Sequence, residues 1–310
     1  MIRLLGRALL LSSLLLSTHA AELPRQSNSL TEVLARQLPP SEYARVGIYL
    51  LDLQQAQAWS LNNNPSYPLL SSFKLPLAIW VLKLVETGQL SLEQAVPIQR
   101  SALMQDTWSP LLDEHKAANF TLTVRELLRY SVELSDNNAA DVLLQLSGGT
   151  AALQQYLQQQ GLQNTVIQAT EQQMHQGFAA QYRNHSRPSD MALLLAQLAN
   201  TELLHAEQSD LLVQWLRDTP TGAKRVKAGL PDGSIWLHKT GTSGTDERSG
   251  VRAAVNDIGL LQLPDGRQFV LVMLVQDSHW SLDDTEALMA RLTARLVETA
   301  MRPIPVPCGP

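Results

Sequence analysis

Apolar and polar positions divide the chain into strands near both ends and helices between them. Ser29 to Leu38 repeats its apolar residues at helical spacing. Arg45 to Leu53 is rich in Val, Ile, Leu and Tyr, and Ala56 to Ser60 follows a short polar turn, which predicts a β-hairpin. From about residue 71 to 230 the pattern is helical, punctuated by Gly, Pro and Asn. One helix is expected to open on the capping box Thr123-x-x-Glu126, ahead of Leu127 and Leu128. Another, Ala139 to Leu146, is expected to stop at Gly148-Gly149 through a left-handed cap. Strand character returns at Ser234 to His238, Ala253 to Leu263 and Gln268 to Val275, the last two joined by the turn Pro264-Asp265-Gly266. Phe269 to Val275 is apolar throughout, as a central strand covered on both faces would be. A last helix carries Leu288, Leu292 and Leu296 on one face. The early strands need partners, and only the late ones are available. The expected fold is therefore α+β: one antiparallel sheet from both chain ends, helices on its faces, and an inserted all-α region.

Composition narrows the class. With 310 residues, 45% hydrophobic and 17% charged, the chain can bury a sizeable core. A net charge of −5 offers no field for nucleic acid. Residues 1–20 read as an export signal: Arg3 and Arg7, the apolar stretch Ala8 to Ser17, then Thr18-His19-Ala20 as the cleavage site. The apolar stretch is shorter than the roughly 20 residues a membrane helix needs. No cysteine follows it to carry a lipid, so no membrane anchor is expected and the mature protein should be periplasmic or secreted. Residues 21–310 then form the catalytic region, an α/β part over about 28–70 and 231–302 and an all-α part over about 71–230. A monomer is the default. Cys308, the single cysteine, stands in a Pro-rich tail without an intramolecular partner.

Three short motifs carry the chemistry. Ser71-Ser72-Phe73-Lys74 opens an apolar helical stretch, and a spacing of three puts Ser71 and Lys74 on one face. An amine that close can take the hydroxyl proton if burial lowers its pKa, and the helix N-terminus favours developing negative charge. Pro76, just past the first turn, removes one helix hydrogen bond and predicts a slightly irregular entry. Ser135-Asp136-Asn137 falls between two helical segments and supplies a hydroxyl and a carboxamide on a loop, with Asp136 read as structural. Lys239-Thr240-Gly241 ends a predicted strand, followed by Thr242, Ser243 and Gly244. A lysine flanked by hydroxyls at a strand edge suits a substrate carboxylate, and Gly241 is expected to let a ligand backbone approach.

In this order and at these separations the motifs resemble those of the class A serine β-lactamases. The resemblance covers about residues 28–302 and implies that family's fold and activity: hydrolysis of the β-lactam ring of penicillins and cephalosporins through a serine acyl-enzyme, with antibiotic resistance as the consequence. It implies that Ser71 is the acylated nucleophile, Lys74 its proton acceptor, Ser135 the hydroxyl that relays a proton to the leaving nitrogen, and Asn137 an amide that binds the substrate side chain and Lys74. Lys239, Thr240, Thr242 and Ser243 would line the carboxylate site, and the backbone N–H groups of Ser71 and Thr242 would form the oxyanion hole. Glu171, in Glu171-Gln172-Gln173-Met174-His175, stands where the family carries its water-activating glutamate on an Ω-shaped loop.

Two departures point to the PER- and VEB-like extended-spectrum branch. His175 replaces the asparagine usual four residues after the glutamate, where an imidazole can orient the water or brace the loop. Ser249 fills the position of a frequent strand arginine, and Arg225 matches the place where the branch puts its arginine instead, with Arg248 a weaker stand-in. Trp108, in Asp106-Thr107-Trp108-Ser109-Pro110, resembles the aromatic gate at the mouth of the site. The mature histidines, His115, His175, His185, His205, His238 and His279, show no metal-binding spacing, and no phosphate or dinucleotide loop is present, so no metal or cofactor is expected. A penicillin-binding DD-peptidase or a non-hydrolysing β-lactam sensor would share the three motifs, but Glu171 disfavours both. The expected partners are a small β-lactam and water.

Overall fold

The structure, a computed structural model, describes residue 32 and residues 34–300. The expected export signal, the first part of the Ser29 to Leu38 pattern and Cys308 lie outside the described residues. The chain runs β1 (Arg45–Asp52), β2 (Gln57–Leu61), β3 (Tyr67–Pro68), α1 (Lys74–Glu86), β4 (Ala95–Gln99), α2 (Pro110–Glu114), β5 (Asn119–Thr123), α3 (Val124–Val132), α4 (Asn137–Leu146) and α5 (Gly149–Gln159). It continues through α6 (Glu171–Met174), β6 (His185–Ser186), α7 (Pro188–Ala199), α8 (Ala206–Asp218), β7 (Ile235–Thr242), β8 (Arg252–Gln262), β9 (Gln268–Ser278) and α9 (Leu282–Ala300).

Both chain ends build one antiparallel sheet, in the order β2-β1-β9-β8-β7. Strand β9 lies at its centre, and its apolar run is divided by the two-residue period of a strand. Val270, Val272 and Leu274 pack toward the helical region, whereas Leu271, Met273 and Val275 pack toward α9 with Leu288, Leu292 and Leu296. The turn Pro264-Asp265-Gly266 closes β8 onto β9, with Gly266 at φ +88 as its left-handed residue.

Helix α1 carries apolar residues on nearly every side, and Leu75, Leu77, Ile79, Val81 and Leu82 are fully buried. It is the central helix of the inserted region, wrapped by α3, α4 and α5. The Thr123–Glu126 capping box opens α3, and Gly148 (φ +92) follows the end of α4. The stretch expected to be all-α needs one correction. It also holds the ribbon β4–β5, and β6 pairs with β3. Val96 and Ile98 alternate with exposed residues in β4, a strand signal that Pro97 obscures. In a two-stranded ribbon, an open edge tolerates the missing N–H.

Candidate active site

The chain enters the site through a strained turn. Leu70 has φ +45, uncommon for a branched side chain, and begins a 3-10 turn over Leu70–Phe73 that runs directly into α1. Ser71 sits in this tight turn and Lys74 is the first residue of α1, which is the irregular entry expected ahead of Pro76. The segment is bolted from several directions. Asn256 of β8 donates from Nδ2 to the carbonyls of Pro68 (2.8 Å) and Leu69 (3.0 Å). Leu69 N–H donates to Asn184 O at 2.8 Å. Gly241 of β7 lies so close that an added Cβ would stand 2.3 Å from Leu69 O. The space left by the missing side chain of Gly241 is taken by the backbone of the Ser71 turn.

Lys74 is completely buried, and its Nζ is the hub of the site. It lies 3.0 Å from Ser71 Oγ, 2.7 Å from Ser135 O, 2.6 Å from Asn137 Oδ1 and 2.9 Å from Glu171 Oε1. An ammonium has three N–H bonds and cannot serve four acceptors at once. Ser135 O and Asn137 Oδ1 have no proton to give, so the remaining proton traffic falls in the triangle of Ser71, Lys74 and Glu171. Ser71 Oγ and Glu171 Oε1 are themselves 3.5 Å apart.

Ser135 stands at φ +59 at the turn between α3 and α4, with its hydroxyl accepting from Lys239 Nζ at 2.8 Å. Lys239 is fully buried, and burial, reinforced by the charge of Lys74, pulls its pKa well below the ordinary lysine value. Asp136 caps α4 through Ala139 N and also accepts from Ser109 Oγ and Leu111 N, each at 2.8 Å. Asn137 completes its amide by donating to Thr107 Oγ1 at 2.7 Å.

Glu171 is the first residue of the short helix α6, capped by the reciprocal pair Thr170 and Gln173. Two groups with no part in the sequence motifs hold this loop. Asp141 of α4 accepts Glu171 N–H at 2.6 Å and Gln172 N–H at 2.9 Å. Asn184 closes the neck, accepting from Gln168 N (2.8 Å) and Ala169 N (2.9 Å) while donating to Ala169 O (2.8 Å). Asp141 stands four residues after Asn137, hence on the same helix face, and that spacing is the signal that could have found it.

Above these groups opens a cleft of about 830 Å³. Ser71, Asn137, Glu171, Trp108, His175, Thr242 and Ser243 line it, with Arg248 farther along. Trp108 is 63% exposed at the rim, its indole N–H held by Leu134 O at 2.9 Å.

Residues 28–300 match the family model described as the beta-lactamase enzyme family. The chain belongs to that family. This β-lactamase is 38% identical to the extended-spectrum beta-lactamase PER-1 of Pseudomonas aeruginosa over 249 residues, 80% of each chain. It is 35% identical to beta-lactamase VEB-1 of the same organism over 249 residues, 80% of this chain and 82% of that one. Among solved structures it matches TLA-3 extended-spectrum beta-lactamase with a TM-score of 0.85 and 32% identity, covering 89% of this chain and 99% of that chain. PBP-A, at 22% identity and a TM-score of 0.78, shares the fold. The chain is a class A serine β-lactamase of the PER- and VEB-like branch.

Within that family setting, three expected residues sit differently in this β-lactamase. Thr240 is buried and its hydroxyl meets Thr221 Oγ1 at 2.8 Å, on the same side of β7 as His238 and Thr242. Arg225 is also buried: it donates to Glu286 Oε1 (2.9 Å), Asn256 O (2.8 Å) and Thr242 Oγ1 (2.7 Å). It therefore reaches the cleft through the Thr242 hydroxyl. His175 is exposed, and its ring makes no hydrogen bond to any described residue, so Asp141 and Asn184 brace the loop in its place. Ser243 lines the cleft with its hydroxyl tied to Ala254 N at 3.1 Å. Among the described residues no group of three or more His, Cys, Asp or Glu could hold a metal ion, and no helix is long and apolar enough to cross a membrane.

Proposed function

We propose that this β-lactamase opens the β-lactam ring through an ester on Ser71 and releases the product with a water that Glu171 activates. The position of Lys74 Nζ between Ser71 Oγ and Glu171 Oε1 carries this reading. In acylation the Ser71 proton passes into the Lys74–Glu171 pair as Oγ attacks the lactam carbonyl carbon. The developing oxyanion is met by the N–H groups of Ser71 and Thr242. As the C–N bond breaks, the Ser135 hydroxyl gives its proton to the leaving nitrogen and takes in return the proton that the Lys74–Glu171 pair received from Ser71, which leaves Glu171 a free carboxylate for deacylation. In deacylation Glu171 takes a proton from water, the hydroxide adds to the ester carbon, and Ser71 Oγ leaves with a proton.

The remaining residues seat the substrate. Lys239 and the Arg225–Thr242 pair supply positive field and a hydroxyl for its carboxylate. Asn137, with both ends of its amide fixed, faces the acyl side chain, and Trp108 and His175 border the mouth. Penicillins and cephalosporins are the substrates, oxyimino-cephalosporins among them, and resistance to those drugs is the consequence. The protein acts as an exported monomer with no cofactor.

The test is to mix purified protein with a chromogenic cephalosporin and follow turnover beside intact-protein mass. Many turnovers per molecule are expected, and Glu171→Gln should accumulate an adduct that Ser71→Ala never forms. A single stoichiometric burst in the wild-type protein would instead mark a sensor or a peptidase.

A further inference from the structure

The cleft has a wall that takes no part in the chemistry. Gly177, Phe178 and Gln181 line it, as do Thr245, Asp246, Glu247 and Arg248. Phe178 to Tyr182 form one 3-10 turn, and the rings of Phe178 and Tyr182 meet edge to face at 5.5 Å between centroids. The Tyr182 hydroxyl donates to Asp277 Oδ1, close to the end of β9.

Asp277 is built into the sheet in an unusual way. Its φ is +55, a left-handed conformation that a non-glycine residue adopts only where its surroundings hold it. Its second carboxylate oxygen accepts from Gln276 Nε2 at 2.8 Å, and Gln276 Oε1 accepts in turn from Arg45 of β1. A hydrogen-bonded chain thus runs from the start of β1, through Gln276 and Asp277 near the end of β9, to the turn that carries the cleft wall. Glu171 is held separately by Asp141 and by the Thr170–Gln173 cap. Wall and catalytic base therefore have different anchors, although they lie on the same loop.

We propose that Tyr182 and Asp277 form a latch that positions this wall and so decides which acyl side chains the cleft accepts. The inference rests on the hydrolytic reading above and names a specificity determinant within it. Neither residue touches the reacting atoms; both are positioning residues that act through Phe178 and Gln181. A substrate with a compact side chain engages the region around Ser71 and Asn137. One with a branched oxyimino side chain extends past His175 and seats between the wall and residues 245–248.

The test compares benzylpenicillin with ceftazidime, an oxyimino-cephalosporin, on wild-type, Tyr182→Phe, Asp277→Gly and Asp277→Asn enzymes. Glycine suits the left-handed backbone while removing the carboxylate, whereas asparagine suits it and keeps an acceptor for the phenol. Tyr182→Phe and Asp277→Gly should raise KM for ceftazidime by about fivefold or more with kcat little changed, a loss of binding and not of transition-state chemistry. Their constants for benzylpenicillin should stay within about twofold, and Asp277→Asn should behave as wild type. Equal shifts for both drugs, no shift, or failure of Asp277→Asn to rescue would overturn the latch. So would a wild-type enzyme that cleaves benzylpenicillin but not ceftazidime. A wild-type enzyme that cleaves neither removes the hydrolytic reading itself, and the latch with it.

Discussion

Asp141 holds Glu171 by its backbone: one carboxylate oxygen accepts Glu171 N–H at 2.6 Å and the other accepts the next amide, Gln172 N–H, at 2.9 Å. A carboxylate with an acceptor on each oxygen is the only state of Asp141 that makes both bonds. The protonated form turns one oxygen into a donor that faces an N–H. Burial pushes the Asp141 carboxyl up to about 6, against the two amide bonds and Lys74, which favour the charged form.

Activity and stability should therefore respond to acid in opposite directions. Because the folded-state pKa of Asp141 lies above its ordinary 3.8, the folded chain binds this proton more tightly than the unfolded one. Its contribution to stability is full below pH 3.8 and is lost as pH rises through about 6. Deacylation needs the ionised form and should fall on the acid side of about pH 6. Asp141→Asn should remove that acid limb and leave a slower rate, down by about 10²-fold if Glu171 is displaced by roughly 1 Å. Single-turnover deacylation measured from pH 4 to 8 checks this. An unchanged acid limb in Asp141→Asn would assign the limb to another group.

Arg225 and Glu286 pose a different question, since both are buried and each is the other's charge partner, at 2.9 Å. Truncating one member strands the other in a low dielectric, which costs about 3–5 kcal/mol. Arg225→Met should lower the melting temperature sharply and raise KM through the loss of the Thr242 contact. The double variant Arg225→Met/Glu286→Gln should recover much of the melting temperature but not the KM. If stability failed to recover, the loss would come from packing or from the bond to Asn256 O instead.

Much of this arrangement was legible in the chain, and the exceptions share a cause. The strands at both ends, the capping box at Thr123 and the three motifs are local patterns, readable over a few neighbouring residues. Asp141, Asn184 and Asn256 are polar residues whose work is done across 30 residues or more, or around a loop neck. Apart from the four-residue step from Asn137 to Asp141, nothing beside them in sequence distinguishes them from residues on a solvated face. Gly241 shows the same limit from another side. Its lack of a side chain was visible, but the group that needs the space, Leu69 O, is brought there only by the sheet and the Ser71 turn packing together. Thr240 and Arg225 were placed in the carboxylate site by position along the chain, while burial and strand alternation set what their polar atoms meet.

Gly241→Ala puts that packing to a direct test. The added Cβ would fall 2.3 Å from Leu69 O and 2.8 Å from Ser72 Oγ, closer than such contacts allow, and one partner is backbone. The Ser71 turn or β7 must move, and with it the two N–H groups proposed to hold the oxyanion. Acylation should slow by about 10²-fold or more, as for the loss of an oxyanion donor. Rapid-quench mass measurement of adduct formation reads this step alone, and acylation at the wild-type rate would mean that the turn yields easily.

Trp108→Ala separates the cleft mouth from its floor. The indole is 63% exposed and contributes one hydrogen bond, to Leu134 O, so its removal should change stability by no more than about 0.5 kcal/mol. The ring borders the cleft beside Thr107, whose hydroxyl receives the Asn137 amide, but its indole N–H is spent on Leu134 O and bonds neither Ser71 nor Lys74. KM should therefore rise while the rates of acylation and deacylation at saturation hold. Steady-state constants with a thermal melt on the same preparation decide the matter. A fall in kcat without a rise in KM would show that Trp108 orders Asn137 through the Thr107–Trp108 backbone, making it part of the catalytic scaffold and not a gate.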